Sequence, residues 1–546
     1  MIKSQLEKIL GYPLEATENP DFGDYSSNVA LSHKPPREFA EREVERLRIN
    51  KELVLFVDKI EVAGPGFINF WLTRSVLVSE LEKIQKEGDR YGQSDSGKDK
   101  TVVVDYSAPN IAKPFGIGHL RSTIIGQSIY NLYKFLGYEV VGDNHLGDWG
   151  TQFGKLLYMI KSEGIADFDI AKLEELYVEF HELAERDKTL EEKAREWFKK
   201  LEDGDNEAKS IWKKCVDVSL TEFDRIYDLL GVKIDFAFGE SYYESEMKQM
   251  MADPGITKYL SKGEDGALIV DLSKHKISTP LMFLKADGAT TYAARDLATI
   301  IFRIRKWNPD IIIYEVGAEQ SLHFQQVFAT ARLLGLVKNS VELVHTAHGL
   351  YLGPDGKKFS TRKGKTVKLE EVLDEAIKRA KKLGNNNEKV AKEVGIGAIK
   401  YYDLMHSVQS NVIFDWEKMM NLEGNSGPYL QYTVARTNSV LAKSTNKQIY
   451  KSTNKLQMNS EEMVVLRALV RFSEVIGSAA KNYSPNLLCN YLYDLAQKYN
   501  GFYNKHSILT NSDQQVTNFR LALTFGVGQV LKNGLKLLGI GSPERM

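Results

Sequence analysis

The sequence predicts an α/β protein with a doubly wound, Rossmann-type parallel-sheet domain, an N-terminal α+β domain and a C-terminal all-α bundle. Three observations predict it. An apolar, β-branched run, Thr101–Tyr106, passes through a Pro- and Gly-rich turn into a helical pattern (about Gly118–Leu136) and a second strand, Tyr138–Val141; this order of elements begins a doubly wound sheet. Beyond about Val367 no strand pattern appears, and apolar residues recur at helical spacing through to Leu538. A chain of 546 residues is also too long for one core, so two to four domains are expected.

Taken in order, residues 1–92 read as the small N-terminal domain. Arg37–Arg48 is helical in period, and Val57–Leu72 is β-like around Gly64-Pro65-Gly66. The polar stretch Gly92–Lys100 has linker composition. Residues 98–366 form the expected doubly wound domain, with an inserted helical and β segment at about 160–275. There Ile165–Lys214 is charged and helical in period, and Ala267–Leu272 reads as a strand. Ile311–Val316 is a further strand, and 367–546 the helical domain. No internal repeat is evident.

Composition narrows the class without naming it. Hydrophobic residues make up 43% and charged residues 27%, as in ordinary globular proteins. The two cysteines, Cys215 and Cys489, lie far apart, which suits a reducing compartment and no cysteine-built zinc site. The N-terminus lacks the apolar core of a signal peptide, and the longest apolar runs fall far short of the roughly 20 residues a membrane span needs. A soluble, cytoplasmic protein is expected. Net charge is −1, so any nucleic-acid surface must lie within a balanced total.

Two segments carry chemistry. Asp105–Gly126, DYSAPNIAKPFGIGHLRSTIIG, is a strand end, a turn and a helix start. Its glycines admit a ligand to the backbone, and the helix N-terminus offers N–H groups and partial positive charge to a phosphate. His119 in the first turn is placed to donate to a phosphate oxygen. A plain structural turn explains this segment equally well. The second segment, Gly353–Thr366, is a Gly-hinged loop with Lys357, Lys358, Arg362, Lys363 and Lys365 around Ser360. A solvated charged face accounts for it on composition; so does a need to offset triphosphate charge at an in-line displacement.

Together these segments resemble the two signatures of class I aminoacyl-tRNA synthetases. Gly116-Ile117-Gly118-His119 is similar to the HIGH tetrapeptide and Lys358-Phe359-Ser360-Thr361 to the KMSK loop. The flanks resemble the arginyl-tRNA synthetase family: SAPNIAKPF, HLRSTIIG, NHLGDWGTQFG (Asn144–Gly154), TYAARD (Thr291–Asp296), GNSGPYLQYTVAR (Gly424–Arg436) and LLGIGSPERM (Leu537–Met546), nearly the whole chain in the family's order. Two positions depart. Gly116 stands for the first HIGH histidine, and Thr361 for the last KMSK lysine. The second departure is common in the family, where the lysine matching Lys113 supplies the charge. Losing a phosphate donor such as the first histidine costs on the order of 10²–10³ in rate; a compensating group, a slow enzyme or an introduced change would each account for it.

The resemblance implies ATP-dependent activation of L-arginine and transfer to the terminal adenosine of tRNA(Arg), giving AMP and pyrophosphate. ATP would enter as its Mg²⁺ complex; no zinc and no resident metal are expected. It implies His119, Lys113 and Lys358 as electrostatic catalysts, with Gly116, Gly118, His119, His323, Lys358 and Ser360 at ATP. Arginine would meet Asp105, Asn110, His145, Tyr292, Asp296 and Gln320. Tyr292 and Asp296 lie four apart on one helical face, and carboxylates in the guanidinium plane are what arginine needs. A surface helix charge also explains Asp296, and a buried structural histidine explains His323. Asp148 would line the site, and Trp149 would do so or simply pack.

For tRNA, the resemblance implies an N-terminal domain at the tRNA elbow, with Phe67 and Asn69 on a D-loop base. A core position suits Phe67 equally. Tyr429, Tyr432 and Arg436 share a helical face fit for unstacked anticodon bases; a core stripe would explain the tyrosines but not Arg436. A monomer and no membrane partner are expected. A cysteinyl- or glutamyl-type synthetase lacks support in the cysteines and the acidic pocket positions. A catalytically weak tRNA-binding paralogue is the rival that Gly116 raises.

Overall fold

The computed structural model describes residues 2–17, 19–263, 265–286, 288–353, 355–357, 367–384, 387–444 and 457–546. The chain forms two compact units, one of residues 1–93, 421–482 and 487–546, the other of 94–420 and 483–486.

The second unit is built on a five-stranded parallel sheet. From one edge its strands are Glu342–His345, Ile311–Tyr314, Thr101–Asp105, Glu139–Leu146 and Phe236–Gly239. Val102, Val103 and Val104 are fully buried, because helices cover both faces and a continuous apolar run replaces alternation. The chain enters mid-sheet at Thr101, builds outward to Phe236–Gly239, then returns to the other side at Ile311. The winding reverses between Thr101–Asp105 and Ile311–Tyr314, and ligands of such sheets bind beyond the strands' carboxyl ends there. The expected α/β class holds.

Helix Ile117–Phe135 packs on the sheet so closely that a Cβ on Gly126 would lie 2.3 Å from the Tyr106 Cβ; only glycine fits. The same helix carries Arg121, 1% exposed, whose guanidinium donates to Asp403 Oδ1 (3.2 Å), the Ser410 carbonyl (2.6 Å) and the Val408 carbonyl (3.4 Å). Removing it would strand the buried Asp403 charge, at a cost of about 3–5 kcal/mol. The insertion contains helices Ile170–Arg186, Thr189–Glu202 and Asn206–Leu230, and an antiparallel sheet of Leu260–Lys262, Leu268–Val270 and Leu281–Leu284.

One boundary differs from the sequence reading. Helices Leu369–Lys382 and Glu388–Leu404, expected in the C-terminal domain from 367, belong to the second unit. Strand Tyr351–Leu352 pairs with Val412–Ile413, and Arg121 holds Asp403, so this stretch is fastened to the sheet domain.

In the first unit, strands Glu15–Ala16, Tyr25–Ser27, Phe67–Leu72 and Val57–Ala63 form an antiparallel sheet in that order. Helix Arg74–Glu87 packs on helices Ser460–Val470 and Gln514–Leu537. Among the described residues no helix is long and apolar enough to cross a membrane.

Candidate active site

The turn after Thr101–Asp105 is held in a costly conformation. Of the eight non-glycine residues described with positive φ, three lie here: Ser107 (76°), Ala108 (44°) and Ala112 (63°). Each such residue costs roughly 1–3 kcal/mol and persists only where neighbours over-determine it. The neighbours are specific. Ser122 Oγ accepts from Ser107 N–H (2.9 Å), and the Ser107 hydroxyl meets Thr123 Oγ1 (2.9 Å) and the Tyr227 hydroxyl (2.8 Å). Asn144 Oδ1 accepts from Ala108 N–H (3.0 Å), and Ser219 Oγ from Ala112 N–H (2.9 Å). The sequence reading missed Ser122, Asn144, Ser219 and Tyr227; their common signal is a hydroxyl or amide side chain facing the strained turn.

The turn leads into the first motif. Gly116 is the N-cap of its helix, at φ −91° and ψ 161°, and its N–H donates to His119 Nδ1 at 3.1 Å. That bond makes Nδ1 the acceptor, so Nε2 carries the proton and is free to donate. Burial, together with the nearby Lys113 charge, pushes the His119 imidazole down to about 4. A Cβ at Gly118 would meet nothing within 4 Å, so this side of the helix start is open to a ligand. The Lys113 ammonium lies 5.0 Å from the centre of the Tyr177 ring. Asn110 pairs with Gly147, where a Cβ would come within 2.3 Å of Asn110 Oδ1.

Lys358 and Ser360, with Thr361, Arg362, Lys363 and Lys365, lie outside the described residues. The ends of their loop are described. Ile117 N–H donates to the Val367 carbonyl (3.0 Å), Leu369 N–H to the Phe115 carbonyl (2.9 Å), and Gly116 bridges Lys368. The chain from Val367 to Leu369 therefore runs directly beside the first motif.

A cleft of about 420 Å³ opens along helix Tyr292–Trp307. Tyr292, Arg295, Lys285, Thr151, His323 and Gln326 line it. Tyr292 is 68% exposed. Asp296 Oδ2 and His323 Nε2 are 2.5 Å apart, so two residues read as contacts to different substrates pair with each other. Arg295 binds Glu240, whose carboxyl burial pushes up. Asp148 is buried and accepts from Ser241 N–H (2.9 Å) and its hydroxyl (2.6 Å), while Trp149 packs edge-on against Phe198 and Trp212. Asp105 is 5% exposed and accepts from Arg303 Nη2 at 2.8 Å, an internal partner that the sequence reading did not anticipate. His145 packs 5.5 Å from the Tyr243 ring, and Gln320 is exposed just before helix Ser321–Leu333. Among the described residues no group of three or more His, Cys, Asp or Glu could hold a metal.

Comparison with known proteins decides the family. Residues 80–416 match the model described as tRNA synthetases class I (R), catalytic domain; residues 1–72 match the arginyl tRNA synthetase N terminal domain, and 430–546 the DALR anticodon binding domain. The chain belongs to the arginyl-tRNA synthetase family. It is 39% identical to an arginine–tRNA ligase of Clostridium botulinum over 99% of this chain and 96% of that protein. It is 42% identical to one of Lactococcus lactis over 90% and 88%. The crystal structure of arginyl-tRNA synthetase from Plasmodium falciparum is similar at TM-score 0.83 and 26% identity, covering 100% of this chain and 98% of that one. The Thermus thermophilus enzyme, at TM-score 0.82 and 23% identity, is alike in fold.

The first unit carries the remaining candidates. Phe67 is 37% exposed, so it is not a core residue, whereas Asn69 is buried and accepts from the Ser26 hydroxyl at 2.8 Å. The Arg436 guanidinium lies 4.9 Å from the Tyr432 ring centre and 5.1 Å from Tyr503, and donates to Asn500. Asn500 in turn donates to the Tyr429 hydroxyl at 2.9 Å. Tyr503 and Asn500, missed in the sequence, come from a second helix, Pro485–Lys505.

Proposed function

We propose that this chain activates L-arginine with Mg²⁺·ATP and transfers the arginyl group to the terminal adenosine of tRNA(Arg), releasing pyrophosphate and then AMP. The observation that carries this reading is the His119 arrangement. A strained turn, a helix N-terminus and a histidine with Nε2 free to donate meet at the sheet's switch point, beside the segment Val367–Leu369 that follows the lysine-rich stretch. Little covalent chemistry falls to the protein; orientation and charge stabilisation do most of the work.

In the first step the arginine carboxylate attacks the α-phosphorus of ATP and the bond to the pyrophosphate oxygen breaks. Helix Ile117–Phe135 directs its N–H groups at the phosphates, Gly118 leaves room for them, and His119 Nε2–H, Lys113, Lys358 and Ser360 offset the charge that develops. Tyr292 and Asp296 receive the substrate side chain, with Asp105, Asn110, His145 and Gln320 around it, and His323 turns toward the nucleotide. In the second step the 2′-hydroxyl of the terminal adenosine attacks the arginyl carbonyl and AMP departs. Phe67 and Asn69 meet the tRNA elbow, and Tyr429, Tyr432 and Arg436 meet the anticodon loop. Three domains, at 1–92, 98–366 and 367–546, divide these tasks, although the packing of 369–404 favours a later boundary for the last. The protein acts as a cytoplasmic monomer.

Arginine-dependent ATP–pyrophosphate exchange tests this. Exchange should be near background without tRNA, as resemblance to tRNA-requiring synthetases implies, and should rise when tRNA(Arg) is added. No exchange under either condition would sink the activity and favour a tRNA-binding protein. Full exchange without tRNA would remove only the coupling.

A further inference from the structure

The sheet domain also holds a buried charge cluster to which neither signature motif points. Arg303 is fully buried. Its Nη2 donates to Asp105 Oδ2 at 2.8 Å, and its Nε to Asp143 Oδ2 at 2.8 Å, while the Tyr314 ring centre lies 5.2 Å from the guanidinium carbon. Asp105 ends its strand and lies directly opposite Asp143, which is inside the paired strand Glu139–Leu146. The second oxygen of each carboxylate, Oδ1, is buried and lacks a hydrogen-bond partner among the described residues, as do Arg303 Nη1, the Tyr314 and Tyr243 hydroxyls and His145 Nδ1. Buried acceptors are seldom left so; each calls for a water or a ligand donor. Arg303 follows Asp296 by seven residues, two turns along helix Tyr292–Trp307. One helix thus carries both the carboxylate that pairs with His323 at the cleft and the guanidinium that binds Asp105 and Asp143.

Two carboxylates this close repel, and without a cation one of them takes up a proton. A protonated carboxyl loses acceptor capacity and with it the match to a cation. Burial raises the Asp143 carboxyl and Arg303 opposes that rise.

Resting on the arginine-activating reading above, we propose that Arg303 is a positioning residue for the substrate: it fixes Asp105 and Asp143 by one oxygen each and leaves the other oxygen of Asp105 open as an acceptor for the substrate's guanidinium. The titratable groups around Asp105 are Asp143 and His145 on its neighbouring strand, Tyr243 from the turn Glu240–Tyr243, Asp296 and Arg303 from the helix, and Tyr314 from the strand beyond.

The test is steady-state aminoacylation by the full chain, with cognate tRNA, across the acid range, for Arg303→Met and Arg303→Lys. Arg303→Met should raise arginine KM about tenfold or more while the ATP and tRNA KM values stay within about twofold. The acid limb of kcat/KM for arginine should move upward by about one pH unit, because the carboxylates lose their cation. Arg303→Lys should restore part of both effects, and where the methionine variant does not fold the lysine variant carries the test. A folded variant whose acid limb stays in place, or whose three KM values rise together, overturns the proposal and leaves Arg303 structural. A wild-type chain that fails to charge tRNA with arginine would instead overturn the proposed activity.

Discussion

Asp296→Asn removes one negative charge from the cleft and keeps the size and the hydrogen-bonding shape. The Asp296 side chain is 17% exposed and that of His323 26%, so the pair is largely but not fully desolvated. Truncating one partner of a desolvated charge pair costs about 2–5 kcal/mol. With water still at the rim the lower end applies, about 2–3 kcal/mol, which is roughly a 30- to 150-fold rise in arginine KM. Asp296 has two possible beneficiaries, however: a cationic substrate, or His323 2.5 Å away. The ATP side separates them. If Asp296 serves arginine, ATP KM barely changes, and Asp296→Asn and His323→Gln combine additively. If it serves His323, the double variant is no worse than the single ones. Aminoacylation with each substrate varied in turn reads this out. Equal rises in arginine and ATP KM would refute the assignment of Asp296 to the guanidinium.

Three further outcomes are expected. His119, held down to about 4 by burial, keeps its full contribution to stability above its ordinary 6.5, and that contribution is lost as pH falls from there toward 4; the urea midpoint of the wild type should drop over this window more than that of His119→Gln. Arg436→Ala opens the stack with Tyr432 and Tyr503 and should raise tRNA KM about tenfold, at 1–3 kcal/mol per stacked base, with arginine KM unchanged. Gly116→His should fold, since φ is −91° there, and speed single-turnover adenylate formation; a folded, ATP-binding variant without gain means that Lys113 already compensates, and Lys113→Ala should then be the more damaging change.

What could be read in the sequence was local. Thr101–Asp105 declared itself because a strand covered on both faces needs an unbroken apolar run, and helix Ile117–Phe135 because a Gly-rich turn must end in a helix start to bind phosphate. That Tyr429, Tyr432 and Arg436 share one helical face followed from their spacing, whereas whether that face was core or surface did not. The end of the sheet domain did not: Leu369–Leu404 is helical in period whichever unit it joins, and the contacts that decide, Asp403 on Arg121 and Val412 on Tyr351, cross hundreds or tens of residues.

The same limit explains Asp105. The family resemblance makes it a substrate ligand, and nothing nearby in sequence says otherwise. Its real surroundings come from Arg303, 198 residues on, and from Asp143, which reaches it only through strand pairing. An arginine at the seventh position after Asp296 looks like a surface helix charge; its burial follows only once the helix is laid on the sheet, where it points at two carboxylates. One oxygen of Asp105 then accepts from Arg303, and the other has no hydrogen-bond partner among the described residues. A charged site of this kind is specified by a count of charges across three elements, and no single motif contains that count.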